Sequence, residues 1–259
     1  MEKIRRYFIT LLIGFAGLYS SIGHTQQGQG QNSQQPSQGF LYGVGIGINQ
    51  EIYRGYKRRT IPLPLIGYRG EKLSVYGPFV SYQLLQQGNI SVSAKLSPRF
   101  AGFDESDSDV FSGMAKRKSS LDGGIGVQYR LQRWVFEADT LIDLLGNSKG
   151  QESKLAVGYT LRFGPVLMEP KAGISYSDSK LVDYYYGVRL NEATSNRMPY
   201  HAKSAFNYNA GLSLSTPVFF GGMTRLGIEH HWYDSSISDS PLTDRDSGVS
   251  AFLSWSKFF

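Results

Sequence analysis

Four histidines are the first residues to weigh for chemistry: His24, His201, His230 and His231. A nucleophilic serine needs such a base beside it. His24 lies in a Gln-rich N-terminal stretch. His230 and His231 are neighbours on an extended run, so their side chains leave opposite faces and cannot form one site. The apolar register puts His230 outward beside Trp232 and His231 inward, and no recognisable motif ties a serine to either. Glu229 shares the inward face with His231, yet two ligands fall short of the roughly four that a structural metal site uses. The acidic run from Asp104 to Asp109 (ESDSD after the first Asp) lacks the glycine and closing glutamate of a calcium loop. Cysteine is absent, which removes disulfides, thiol nucleophiles and thiolate metal sites. The chain reads as a non-enzyme without cofactor or metal.

A larger set of charges is organised by alternation. Lys95, Arg99, Asp122, Arg130, Glu137, Asp139, Asp143, Arg162, Glu169, Lys171, Arg225 and Glu229 fall opposite the apolar residues of their runs. In a closed sheet they point into the lumen, where charges must be paired or hydrated. A filled, cross-braced interior is the favoured reading; a selectivity ring in a narrow pore is the other. Gly43, Gly45, Gly47, Gly124 and Gly126 would leave room there for slow passage of solute. Two basic runs, Tyr56–Arg59 and Lys116–Lys118, are expected at an external rim, either solvated or against lipopolysaccharide phosphates.

Strands must position these groups. From Leu121 to Leu145 the chain alternates strictly: Ile125, Val127, Tyr129 and Leu131 on one face, Gly124, Gly126, Gln128 and Arg130 on the other. After Gln132–Arg133 the alternation resumes with Trp134, Phe136, Ala138 and Ile142 opposite Glu137, Asp139 and Asp143. A period of two with a tight link is a β-hairpin, and runs of about 10–12 residues are long enough to cross a bilayer at a tilt. Similar runs recur to the end of the chain. A hydrophobic content of 41% with a mean hydropathy of −0.28 fits strands that show lipid every second residue. The net charge of +6 does not indicate nucleic acid, because the basic residues are dispersed.

The amino terminus supplies an address. Lys3, Arg5 and Arg6 precede an apolar core from Tyr7 to Tyr19 and small residues through Gly23, the pattern of a cleaved secretory signal. Residues 1–23 are read as that signal, 24–39 as a flexible Gln/Gly-rich tether, and 40–259 as the barrel. Links alternate short and long, as in outer-membrane barrels with periplasmic turns and external loops. The fold class expected is all-β, a monomeric transmembrane antiparallel β-barrel of about twelve strands. Ten is the alternative, because Leu73–Tyr76 is too short to span. The chain closes on SWSKFF, and Trp255 with Phe259 resembles the terminal signal read by the outer-membrane assembly machinery, although Lys257 interrupts the apolar series.

The most distinctive text runs from Asp183 to Phe206, DYYYGVRLNEATSNRMPYHAKSAF. Together with Tyr53-Arg54-Gly55, PLPLIGYRG from Pro62 to Gly70 and the terminal Phe, it resembles the MipA/OmpV family from about Gly39 to Phe259. The matched positions are Tyr186, Gly187, Val188, Glu192, Ala193, Ser195, Pro199 and Tyr200. Family members tend to have glycine where this chain has Asn196 and Ser204; asparagine tolerates a left-handed turn. The resemblance implies an outer-membrane barrel. For some members it implies a scaffold between a lytic murein transglycosylase and a peptidoglycan synthase; others are porin-like or adhesive. From the residues alone, the Asp183–Tyr200 loop either packs on itself over the rim, the favoured reading, or folds its aromatics into the mouth as a plug.

Overall fold

The computed structural model describes residues 38–259. The expected signal peptide, His24 and nearly all of the expected tether lie outside the described residues. Thirteen strands follow in order: β1 (Gly39–Gln50), β2 (Arg58–Arg69), β3 (Leu73–Tyr76), β4 (Phe79–Gln87), β5 (Ile90–Arg99), β6 (Ser120–Leu131), β7 (Trp134–Asp143), β8 (Gln151–Tyr159), β9 (Leu161–Phe163), β10 (Val166–Ser177), β11 (Ala205–Thr216), β12 (Met223–Trp232) and β13 (Ser247–Phe258). Neighbours pair antiparallel, and β1 pairs with β13 from Leu41↔Phe258 to Asn49↔Ser250. The sheet closes on itself into a barrel, as a membrane requires. β8 and β9 both lie along β10 in one register, so they form a single interrupted span, and the barrel has twelve.

Alternation does what the sequence implies. Val44 is 66% exposed, Ile66 76% and Leu155 59%. With no protein over them, these outward side chains are the lipid-facing band. The interior is divided. On the β2 side it is apolar, with Leu41, Ile61, Leu63, Leu65, Tyr76, Phe79 and Phe100 packed as one cluster; the opposite side carries the charges.

Prolines explain the irregular places. The Ile66 carbonyl accepts from the Gly77 N–H at 3.1 Å, so the even-numbered residues of β2 turn their backbone polar groups toward β3. β3 pairs with β2 only over Gly67–Arg69. Above it, the next two residues of that parity are Pro64 and Pro62, which have no N–H to leave unpaired. On the facing bank, β5 outruns its last pairing with β4 at Leu96↔Val80, and the next residue of that parity is Pro98. Arg59 braces the top of this notch, donating to the carbonyls of Phe100 at 2.8 Å and Gly102 at 2.7 Å. Pro170 acts in the same way. It stands opposite Tyr159 with its backbone toward β8, because the Asp178 N–H of the same parity bonds Gln151. One donor is missing there and pairing to β10 stops after Gly158, while the Thr160 N–H continues the ladder to β7 by bonding the Arg133 carbonyl at 2.8 Å.

Candidate functional site

The charges inside the barrel meet across strands. Arg99 lies 2.5 Å from Asp122 and 2.9 Å from Glu152, and Lys154 is 3.1 Å from the same Glu152. Lys171 pairs with Glu137, which also accepts from Gln128 at 3.0 Å. Lys95 on β5 reaches Asp139 on β7 at 2.5 Å by crossing β6. It crosses at Gly126, where an added Cβ would stand 2.2 Å from Asp139 Oδ1 and 2.4 Å from Lys95 Cε. At Gly126 the room expected beside the interior glycines is taken by this ion pair. A Cβ at Gly124 would meet the Thr140 carbonyl at 1.9 Å, and one at Gly43 the Trp255 carbonyl at 2.1 Å. Their space is taken by backbone and by ion pairs.

Other members of the predicted set take neutral partners or aromatic rings. Arg130 bonds Gln128 at 3.1 Å, Glu169 accepts from Thr160 at 3.4 Å, and Arg225 lies over the Tyr76 ring. Asp143 is not a lumen partner. It accepts from Ser120 and from the N–H groups of Leu145, Gly146, Ser148 and Lys149, and so organises the loop after β7. Arg162 is exposed near the short-turn rim. Glu152, Lys154 and Asn209 belong to the interior and were missed, although their parity on β8 and β11 carries the signal.

Long loops roof the charged side. Helix α1 (Ser179–Tyr186) buries Leu181, Val182 and Tyr185, while Val188, Tyr53, Phe103, Phe111, Met114 and Leu242 form a second apolar cluster. These side chains come from four different loops. Arg117 holds two of the loops together: it donates to Glu192 at 2.7 and 2.9 Å and to the Tyr184 carbonyl at 2.7 Å. Burial works to raise the Glu192 pKa, but these bonds, with N–H groups of Arg189 and Ala115, hold it down at about 2. The basic runs must be corrected accordingly. Arg117 is 2% exposed and Arg59 is 4% exposed and paired with Glu51 at 2.8 Å, so neither is free for lipopolysaccharide. Lys116 pairs with Asp104 in the acidic run, leaving Lys57, Arg58 and Lys118 exposed.

Beneath this roof lies a cavity of about 200 Å³, lined among others by Asn49, Glu229, His231, Ser250, Tyr185 and Tyr233. His231 points inward and His230 lies against Trp232, ring centroids 4.4 Å apart, as the register predicts. A serine does lie beside His231, though no motif ties the two. His231 Nε2 lies 2.9 Å from Ser250 Oγ, and its Nδ1 lies 3.6 Å from Glu229 Oε1. No motif spacing reveals this, because Ser250 sits on the neighbouring strand.

Residues 42–259 match the family model described as MltA-interacting protein MipA. The chain belongs to that family. Its relatives include "Putative outer membrane protein YiaT" of Escherichia coli O157:H7, 29% identical over 79% of this chain and 84% of that protein. "Outer membrane protein OmpV" of Vibrio cholerae is 29% identical over 69% and 70%. "MltA-interacting protein" of Escherichia coli K12 is 25% identical over 80% and 84%. This MipA-family chain is thus an outer-membrane barrel, with long loops external and short turns periplasmic.

In this MipA-family barrel the motif residues of Asp183–Tyr200 build the cap. Tyr186 stacks on Tyr53 at 5.4 Å, and Val188 and Tyr200 form a β-bridge. Gly187 is needed for close approach, since a Cβ there would stand 2.4 Å from the Asp183 carbonyl. Glu192 holds Arg117, with Ala193 ending its turn, while Ser195 and Pro199 are exposed. Asn196 is not left-handed; the Thr194–Arg197 turn closes without it. The segment is both expected things at once, self-packed over the rim and roofing the cavity with Tyr185 and Tyr186. At the opposite rim, Trp255 and Phe259 lie against Tyr42, with ring centroids at 5.9 and 5.0 Å.

Proposed function

We propose that this barrel anchors murein-remodelling enzymes, a lytic murein transglycosylase and with it a peptidoglycan synthase, at the periplasmic face of the outer membrane. The observation that carries the reading is the relation to "MltA-interacting protein" over four fifths of the chain. A lumen filled by ion pairs and apolar packing supports it, since such a lumen is a poor conduit. Anchoring requires no catalytic step. The periplasmic turns and residues 24–39 are the contact surfaces. Among the turns, Pro217–Gly222 presents Val218, Phe219 and Phe220, the last 86% exposed and held at φ 52°. A bulky residue in that conformation is strained, and the turn is held by the Trp255 indole N–H donating to the Phe219 carbonyl at 3.0 Å. Tagged barrel extracted in mild detergent should retain a murein transglycosylase, and Phe219→Ser with Phe220→Ser should lose most of it. Failure of the unaltered barrel to retain any transglycosylase would remove the anchoring role, and retention undiminished by these changes and by replacement of residues 24–39 would move the contact away from these surfaces. A narrow channel is the second reading, supported by the charges around the capped cavity.

A further inference from the structure

Asn49 is out of place in a barrel that pairs its interior so thoroughly. It points inward from β1, is 5% exposed, and neither its Nδ2 nor its Oδ1 has a hydrogen-bond partner. A buried amide in that condition costs stability. Its cross-strand neighbour on β13 is Ser250, and the neighbour of Ser250 on β12 is Glu229. His231 follows Glu229 two residues later on the same inward face. Four side chains from three adjacent strands thus converge in one row, and all four line the 200 Å³ cavity beneath the cap.

Glu229 is the second anomaly. Arg99, Lys154, Lys171, Lys95 and Arg59 compensate the other carboxylates lining the cavity. Among the described residues Glu229 has no Lys or Arg partner. It accepts from Asn209 at 2.6 Å and faces His231 Nδ1 at 3.6 Å. With Nδ1–H turned toward Glu229, Nε2 is the nitrogen left to accept from Ser250, at 2.9 Å. A nucleophile, its base and an orienting acid are in the order that acyl transfer needs, and loose acid–base contacts are usual before substrate binds. Asn49 is the cross-strand partner of Ser250, with side-chain roots about 5 Å apart, so its unpartnered amide is the nearest donor from which the carbonyl oxygen of an ester held at Ser250 would accept.

The geometry points to a serine ester hydrolase site inside the barrel, Ser250–His231–Glu229 with Asn49 as oxyanion donor, acting on small short-acyl esters. Its Ser250 oxygen attacks the ester carbonyl carbon while its proton passes to His231 Nε2, and the carbonyl oxygen, now negative, accepts from Asn49 Nδ2. The carbon–oxygen bond to the alcohol breaks, and His231 returns the proton to the leaving oxygen. Water, deprotonated by His231, then attacks the acyl-serine, releasing the carboxylic acid and restoring Ser250. The balance is ester plus water to acid plus alcohol. A cavity of about 200 Å³ suits a short acyl group on a small alcohol. Tyr185, Tyr186 and Tyr233 wall the cavity on the cap side. The site is independent of the anchoring surface.

The test uses the refolded barrel with two probes, 4-nitrophenyl acetate and diisopropyl fluorophosphate. Saturable release of 4-nitrophenol is expected, with the fluorophosphate adduct on Ser250 by peptide mass spectrometry. Ser250→Ala and His231→Gln should abolish turnover, and Glu229→Gln should reduce it about tenfold or more. Asn49→Ala should lower kcat by about 100-fold with KM nearly unchanged. Ser250→Ala exchanges one small inward side chain for another, so its folded, heat-modifiable form is expected to persist. Hydrolysis unchanged in Ser250→Ala, or an adduct absent from Ser250 in the folded wild-type barrel, overturns the proposal, and the second result needs no variant.

Discussion

Gly126 has no side chain, and Lys95 lies where one would stand. Sequence reading found this glycine and placed it on the inward face, but took the space for a passage. Only the third strand, which brings Asp139 to the far side, shows that an ion pair fills it. Gly126→Val should therefore displace Lys95 from Asp139 and cost about 1–3 kcal/mol, the usual range for overpacking. A lower urea midpoint for loss of the heat-modifiable band is the expected result, and an unchanged midpoint would show that the pair relocates freely. The same limit applied to Ser250 and His231. Parity placed His231 on the inward face, while its contact with Ser250 depends on how β12 registers against β13, which no residue type announces.

Among elements, the strands were legible and the loops were not. A period of two survives any environment that has a lipid side and a lumen side, so β6 and β7 could be read residue by residue. Pro62, Pro64, Pro98 and Pro170 mark where ladders stop, but their meaning needs the neighbouring strand. The loops form a small apolar core that alternation cannot reveal, held by Arg117 and Glu192. Glu192 has a folded pKa of about 2 against an ordinary 4.5. A depressed folded value contributes stability that is complete above 4.5 and is lost as pH falls through about 2. The tyrosine-rich cap should accordingly weaken between pH 4.5 and 2, followed by the urea midpoint of its near-ultraviolet circular dichroism. Glu192→Gln leaves Arg117 buried with a neutral partner. It should lower cap stability by about 3 kcal/mol at neutral pH and remove that pH dependence.

For the whole molecule, closure of β13 on β1 and the roof of loops together make the lumen a chamber. Refolded protein should give a silent planar bilayer at neutral pH. Replacing residues 178–204 by a short Gly-Ser linker should open the charged side and give ion steps that shrink with Glu137→Gln. If the linker variant stays silent, the ion pairs and the Leu63–Phe100 packing close the lumen unaided. By itself the amino-acid sequence determined the strands, their two faces, the alternation of short turns with long loops and the family, because each is written in neighbours a few residues apart. The tertiary structure alone decided which charges meet, that Arg59 and Arg117 are buried, and that Ser250, His231, Glu229 and Asn49 share one cavity. Those contacts join strands and loops far apart in the chain, and their geometry exists only once the barrel closes.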